Sequence, residues 1–300
     1  NGMQFDDSTI DFNDETKLCW LEMNKCRINC ATFAAEPAAI ERAVDITSCV
    51  IQCTRTRLVD NNGDGTEMIG TANINLKNTK FTSILNADPS DTPLYLKNVA
   101  ADRCKFFFQY DAGVTTPTTN TALFEYCIFD RCKFNFFDGA TTLAAEFKVT
   151  SNSSTYNRCR YVQTGNSPVG GHPVFYVIQG NDENSALNSF IDCNFRLVSN
   201  TAGALTEFEV SGGGSPARIA NFVRTQFYIK SDGDGYNMAD GAILNGCDCS
   251  FGFDTISSGV AVSPKIRFVR WVNPPSGNNQ ADPMGSVRGL TLWSATNPDN

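Results

Sequence analysis

Cys132-Lys133-Phe134-Asn135-Phe136 alternates a cysteine and two phenylalanines with a lysine and an asparagine. A β-strand sends successive side chains to opposite faces. The stretch therefore reads as a strand that buries Cys132, Phe134 and Phe136 and leaves Lys133 and Asn135 in water. A near twin lies upstream in Cys104-Lys105-Phe106-Phe107-Phe108.

Working outward, the same anchor returns along almost the whole chain. Earlier copies are Cys26/Ile28/Cys30, Cys49/Ile51/Cys53 and Thr79/Phe81/Ser83. Later ones are Cys159/Tyr161/Gln163, Cys193/Phe195/Leu197, Thr225/Phe227/Ile229 and Cys249/Phe251/Phe253, with a weaker copy at Val269/Trp271/Asn273. Successive anchors lie 23, 30, 25, 28, 27, 34, 32, 24 and 20 residues apart. A fixed strand at variable spacing means one constant edge per repeat and loops of changing length. Repeats of about 20–50 residues mark solenoids, propellers or arrays. A second apolar strand precedes many anchors, as in Pro93-Leu94-Tyr95-Leu96-Lys97 and Thr121-Ala122-Leu123-Phe124-Glu125-Tyr126.

Two or three short strands per repeat, inward Cys/Phe/Ile stacks and no crossover helices resemble a right-handed parallel β-helix. Pectate-lyase-like enzymes, phage tailspikes and many secreted adhesins share that architecture. The resemblance covers residues 18–273 and is carried by the repeat pattern alone. It implies a single-domain, all-β solenoid of about ten coils, a rod about 48 Å long at about 4.8 Å per coil. A β-propeller also repeats, but its blades take about 40–50 residues, and these repeats are mostly shorter. Residues 1–17 read as a polar, acidic lead-in. Residues 34–44 read as a short helix inserted in a loop, with Pro37 suited to its first turn. Residues 274–300, Pro/Gly/Asn-rich at the start, leave the pattern and read as a cap or tail.

The composition narrows the function. Lys and Arg number 24 against 32 Asp and Glu, a net charge of −8 that argues against a dedicated nucleic-acid binder. No apolar run of about 18 residues is present to span a membrane. The chain begins with Asn1 and shows no secretory signal, and the expectation is either a processed mature chain or a fragment. A processed chain would favour export, to a cell surface or virion surface; a fragment would say nothing of location.

Of twelve cysteines, seven share the anchor position: Cys26, Cys49, Cys104, Cys132, Cys159, Cys193 and Cys249. Thr79, Thr225 and Val269 take the same place elsewhere, which points to a small, buried side chain. Stacked strands lie about 4.8 Å apart, whereas a disulfide wants its Cβ atoms about 3.5–4.5 Å apart. A column of reduced thiols is therefore expected, with any bridges among Cys19, Cys30, Cys53, Cys127 and Cys247. There is no CxxC pair, and His172 is the one histidine, so a cysteine–histidine metal site is not indicated.

Three stretches carry candidate chemistry. Asp60, Asn62, Asp64 and Gly65 match the opening of a calcium loop, and Glu67 adds a carboxylate, but Thr71 stands where the bidentate Glu belongs. Calcium is the one cofactor suggested, beside the plain reading of an Asp/Asn/Gly turn. Ser231-Asp232-Gly233-Asp234-Gly235 is a weaker version. The second candidate is a basic stripe at outward positions: Lys25, Arg27, Lys80, Arg103, Lys105, Arg131, Lys133, Arg158, Arg160 and Arg224. It reads either as a solvated face or as a contact surface for an acidic glycan or an acidic patch on another subunit. The third is catalysis. Asp6-Asp7 sits in the lead-in, Gly171-His172-Pro173 is not the Gly-His-Gly of polygalacturonase-type enzymes, and Pro264-Lys265-Ile266-Arg267 does not match Arg-Ile-Lys. No catalytic residue is assigned.

The expectation is a non-enzymatic structural protein that self-assembles, as a homo-oligomer or polymer, into an extracellular layer, filament, sheath or virion-surface structure. The alternative is a tailspike-like protein that binds or cleaves a glycan, as a polysaccharide lyase or glycoside hydrolase. Neither involves nucleic acid or a membrane span.

Overall fold

The computed structural model describes residues 4–5, 10–12, 21–35, 44–59, 74–115, 120–139, 147–165, 173–178, 188–199, 207–210, 219–230, 236–238, 243–247, 249–254, 264–267, 270–272, 287–288 and 291–294. Among these residues there is no helix, and the strands form one 19-stranded and one 11-stranded sheet. The chain is an all-β parallel β-helix. Its middle coils each have three strands. Leu94–Lys97 lies in the wide sheet, Val99–Asp102 in the narrow one, and Lys105–Tyr110 in the wide sheet again. The next coil repeats this as Ala122–Glu125, Ile128–Asp130 and Lys133–Asp138, each paired in parallel with its predecessor. The two earliest coils run straight through in the wide sheet as Arg27–Ala35 and Val50–Val59. The second of these pairs with Lys80–Leu85 along its first half and with Leu94–Lys97 along its second.

Register holds the side chains in columns. Phe106 pairs with Phe81 below and Phe134 above, and the rings stack at 5.3 and 5.1 Å between centroids. Tyr161, Phe195 and Phe227 continue the column, each stacked on the next at 5.0 Å. A second column, Tyr156, Phe190 and Phe222, rises from the narrow sheet with 5.0 and 4.8 Å separations. These rings are buried while Lys105, Lys133 and Asn135 are exposed, the alternation expected of the opening pentapeptide. Gln163 is a polar exception at an inward position. It accepts the Tyr161 hydroxyl at 2.7 Å and donates to the Phe147 and Val174 carbonyls, so its amide is satisfied in the dry interior.

The expectations fail at two places. Ala34 and Ala35 belong to the strand Arg27–Ala35, and Val44 opens the strand Val44–Thr47. The inserted helix does not include them, because the wide sheet extends a full second half at this coil; residues 36–43 lie outside the described residues. Arg270–Val272 pairs antiparallel with Ile243–Cys247, so Val269/Trp271/Asn273 is not a further parallel coil. Alternation of side chains is the same whichever way a strand runs. The narrow sheet thus stacks nine strands in parallel before Arg270–Val272 and Val287–Arg288 close it antiparallel. Pro264–Arg267 and Thr291–Ser294 do the same for the wide sheet. At the other end, Gln4–Phe5 and Ile10–Phe12 of the lead-in pair in parallel with Arg27–Ala35. No helix among the described residues is long and apolar enough to cross a membrane.

Candidate anion-binding face

The geometry of the outer face is set at the corner before each anchor. Lys25, Ser48, Asn78, Arg103, Arg131, Arg158, Asp192 and Arg224 all have φ between 45° and 57°. This left-handed conformation turns the chain sharply between the sheets, and it is uncommon for residues other than glycine. The corner amide reaches the neighbouring coil, as when Arg103 N–H donates to the Asp130 carbonyl at 2.9 Å and Arg131 N–H to that of Asn157 at 2.8 Å. The following residue, the anchor, then points inward.

What the anchor does explains its composition. Cys193 accepts the Cys159 N–H at 3.4 Å and donates its thiol to the Tyr156 carbonyl at 3.2 Å. Thr225, one coil on, accepts the Cys193 N–H at 3.3 Å and donates to the Phe190 carbonyl at 2.9 Å. Thr79 serves Cys49 N–H and the Ile46 carbonyl in the same way. The position selects a small side chain that both accepts and donates, a tighter requirement than small size. Val269, the copy that fails it, has no described side chain. A second corner, absent from the sequence reading, repeats the device. After Asn98, Tyr126 and Ser153, also left-handed, come Val99, Cys127 and Ser154. Cys127 N–H donates to Ser154 Oγ at 3.1 Å and its thiol to the Leu96 carbonyl at 3.3 Å.

The thiols lie in the interior. Cys26, Cys30, Cys49, Cys53, Cys104, Cys127, Cys132, Cys159, Cys193 and Cys249 are buried, with no disulfide among them. The seven anchor cysteines all point inward, and no disulfide forms at Cys30, Cys53 or Cys127, where the sequence reading allowed one. Cys30 and Cys53 face each other in register as thiols, and the Cys53 sulfur lies 3.1 Å from Thr56 Oγ1. The side chains of Cys19 and Cys247 lie outside the described residues. Burial pushes the Cys127 thiol up to about 12. Hydrogen bonding to neighbouring thiols, and then burial, raises Cys132 and Cys193 as well. Cys127, Cys132 and Cys193, held protonated, are poor nucleophiles, whereas hydrogen bonding with Cys132 lowers Cys104, and against the effect of its burial Cys159 is lowered by hydrogen bonds with Cys132 and Cys193.

The basic stripe resolves into two files. The first occupies the corners, and its four arginines are paired. Arg103 reaches Asp102 at 3.0 Å, Arg131 bridges Asp102 and Asp130 at 2.7 and 2.9 Å, and Arg158 reaches Asp130 at 2.9 Å. Arg224 grips both oxygens of Asp192, Nη2 at 2.7 Å, and this hydrogen bond holds the Asp192 carboxyl below its usual range. Lys25 occupies the same corner file. The second file begins each wide-sheet strand. Register runs Arg27, Val50, Lys80, Lys105, Lys133, Arg160 and then Asn194. All seven are exposed, and none of the five cations makes an ion pair among the described residues. Two unit charges one coil apart repel by about 1 kcal/mol even in water. Lys80, Lys105, Lys133 and Arg160 stand in consecutive coils, so three such repulsions are built into the face.

Where Val50 interrupts the file, the surface dips into a depression of about 450 Å³ lined by Arg27, Ile28, Asn29, Val50, Gln52, Lys80, Thr82 and Ile84. Val50 is the exposed large hydrophobic residue among the described residues, at 38 %. A second depression of similar size lies under residues 86–93, where Arg55 is ion-paired to Asp91 and Thr115 N–H donates to Asp88.

Asp60, Asn62, Asp64 and Glu67, Ser231-Asp232-Gly233-Asp234-Gly235, His172 and Asp6-Asp7 lie outside the described residues. So do the side chains of Lys265 and Arg267. Among the described residues no group of three or more His, Cys, Asp or Glu is arranged to hold a metal ion. Comparison with protein-family models, with curated proteins and with solved structures finds no match to this chain.

Proposed function

We propose that this chain is a non-enzymatic structural protein whose copies join end to end into an extracellular layer, filament, sheath or virion-surface structure. The supporting observation is the unequal cover of the two sheets at the N-terminal end. The wide sheet carries Gln4–Phe5 and Ile10–Phe12 beyond its first long strand. The narrow sheet ends on Leu21–Asn24, which among the described residues pairs on one side alone, with Val44–Thr47. An edge strand offers unpaired N–H and C=O groups to another chain. Contact between unlike ends is heterologous and builds rings or filaments. In this reading the relatives in architecture are the right-handed β-helices of pectate-lyase-like enzymes and phage tailspikes, and the anchor repeat is what supports that kinship.

Glu22→Pro, placed in the open strand Leu21–Asn24, tests the reading, since proline blunts an edge strand. Light scattering on the full chain is expected to report large particles, and the variant is expected to remain a folded β rod by circular dichroism but fail to assemble. Assembly that survives the substitution unchanged removes this edge from the contact.

A further inference from the structure

We propose that the interior of the rod holds a site for a monovalent alkali cation, bound by the Asp138 carboxyl, the Tyr110 phenol and the Thr121 hydroxyl. Two consecutive strands of the wide sheet, Lys105–Tyr110 and Lys133–Asp138, end in register on inward residues, Tyr110 paired with Asp138. Thr121 stands just before Ala122–Glu125, its N–H donating to the Lys148 carbonyl at 2.7 Å. All three residues are 0 % exposed. The Tyr110 ring is packed edge-on against Phe108 at 4.9 Å and Phe147 at 5.6 Å, so its hydroxyl lies among aromatic rings and away from water.

Neither Tyr110 Oη nor Thr121 Oγ1 makes a hydrogen bond. A dry interior makes an unpaired hydroxyl costly. The fold supplies partners for its other buried tyrosines among the described residues. Tyr156 donates to Ser151 Oγ at 2.9 Å and Tyr161 to Gln163 Oε1 at 2.7 Å. At Tyr110 two hydroxyls and a buried carboxyl are gathered instead. Burial pushes the Tyr110 phenol up to about 12, against the pull of the nearby Thr121 hydroxyl and with help from Asp138 and Asp88. Both charged groups that bear on this phenol are therefore carboxylates. A water would satisfy the hydroxyls, but a cation also answers the local negative charge.

The donors select the class of ion. They are oxygens alone, which suit a hard cation. Calcium takes six to eight oxygens, with carboxylates among them. Here one carboxylate balances one positive charge, and a divalent ion would leave the second uncompensated in the core. Phe137 pairs with Thr164, so the next coil brings Gly165, buried and without a side chain, to the place beside Asp138. The column Leu85, Tyr110, Asp138 thus meets a glycine, which leaves room next to the carboxyl.

Thermal unfolding of the full chain tests the site, at constant ionic strength made up with choline chloride, whose cation is too large to enter. Sodium or potassium chloride is expected to raise the midpoint by about 2 °C for each tenfold increase above half-saturation. Asp138→Asn is expected to abolish this dependence, and Tyr110→Phe, which keeps the ring, to weaken the apparent cation affinity about tenfold. Asp192→Asn removes one carboxylate from an exposed corner and is expected to leave the dependence unchanged. Circular dichroism checks that each variant is folded, and Tyr110→Phe decides the matter if Asp138→Asn does not fold. A midpoint that is the same in sodium, potassium and choline chloride overturns the site in favour of ordered water. Dependence that survives Asp138→Asn or Tyr110→Phe as fully as Asp192→Asn overturns these ligands. An equal rise from calcium chloride at a hundredth of the concentration overturns the monovalent class.

Discussion

Arg131 and Lys133 stand two residues apart on the same coil and do opposite things. Arg131 sits at a left-handed corner and is held between Asp102 and Asp130. Lys133 opens a strand and faces water between Lys105 and Arg160. The corner file is closed on itself and the strand file is left open. The difference is one of geometry more than of composition. A corner residue lies beside the last outward residue of the narrow sheet, which in two consecutive coils is Asp102 and Asp130. A strand residue two places on has like charges above and below. Formal charge counts both files equally, but the open one alone has attraction to spare for a partner.

The interior between these files sets the scale against which both are judged. Phe134→Ala removes a buried ring stacked on Phe106 at 5.1 Å, and denaturant unfolding is expected to show a loss of about 3–5 kcal/mol. The anchor beneath the corner comes next. Cys193→Ala leaves the Cys159 N–H and the Tyr156 carbonyl without their shared partner, at a cost of about 1–3 kcal/mol. Cys193→Thr copies Thr225 and is expected to recover most of that; equal losses from the two substitutions make the position one of size and not of hydrogen bonding. At the corner itself, Arg103 has φ 54°. Arg103→Gly is expected to be more stable than Arg103→Ala by about 1 kcal/mol, since only glycine enters this region freely. The reverse order in thermal unfolding would show that the corner conformation carries no strain.

Acid separates the two files without mutation. The Asp192 carboxyl titrates below its ordinary 3.8 because Arg224 hydrogen-bonds it. A carboxylate depressed in the folded state contributes stability that is present above its unfolded pKa and lost as pH falls through its folded one. Stability of the native chain is therefore expected to decline below about pH 4 partly through this pair, and Arg224→Gln to remove that part of the decline. An NMR titration of Asp192 that is unmoved by Arg224→Gln would dissolve the pairing. The open file has no carboxylate to protonate and contributes nothing to this slope. The smallest effect is Lys133→Ala, expected within about 0.5 kcal/mol, because this side chain touches water and like charge. A large loss there would mean the file is structural after all.

Much of this was legible before any coordinates. Cys-x-Phe-x-Phe at Cys104 and Cys132 reports period-two burial directly, and the anchors at 26, 49, 79, 104, 132, 159, 193, 225 and 249 mark the coils. The division of the basic stripe was not legible. It depends on which Asp of one coil lies beside which Arg of the next, and that follows from register at a corner whose residue types give no glycine or asparagine signal in seven of eight copies, Asn78 being the exception. The second corner hid because its inward residues, Val99, Cys127 and Ser154, share no residue type. Trp271 deceived because alternation is blind to strand direction. The hydrogen-bonding role of the anchor was half visible in the exchange of Cys for Thr, and was masked by counting valine as a third equivalent.

The constant corner also makes the coil a unit of editing. The loops absorb every difference in repeat length, while corner, anchor and strand keep one spacing. Excising residues 105–132, the 28 between one anchor and the next, joins Cys104 to Lys133 and recreates the Cys-Lys junction that was there before. Inward rings still meet inward rings, since Phe81 and Phe134 both pair with Phe106 at the same register position. The open file grows shorter by one lysine and keeps its pitch. Removing one residue from the same strand instead would turn Phe134 to water and Lys133 to the core. For a chain built this way, twenty-eight residues are a smaller change than one.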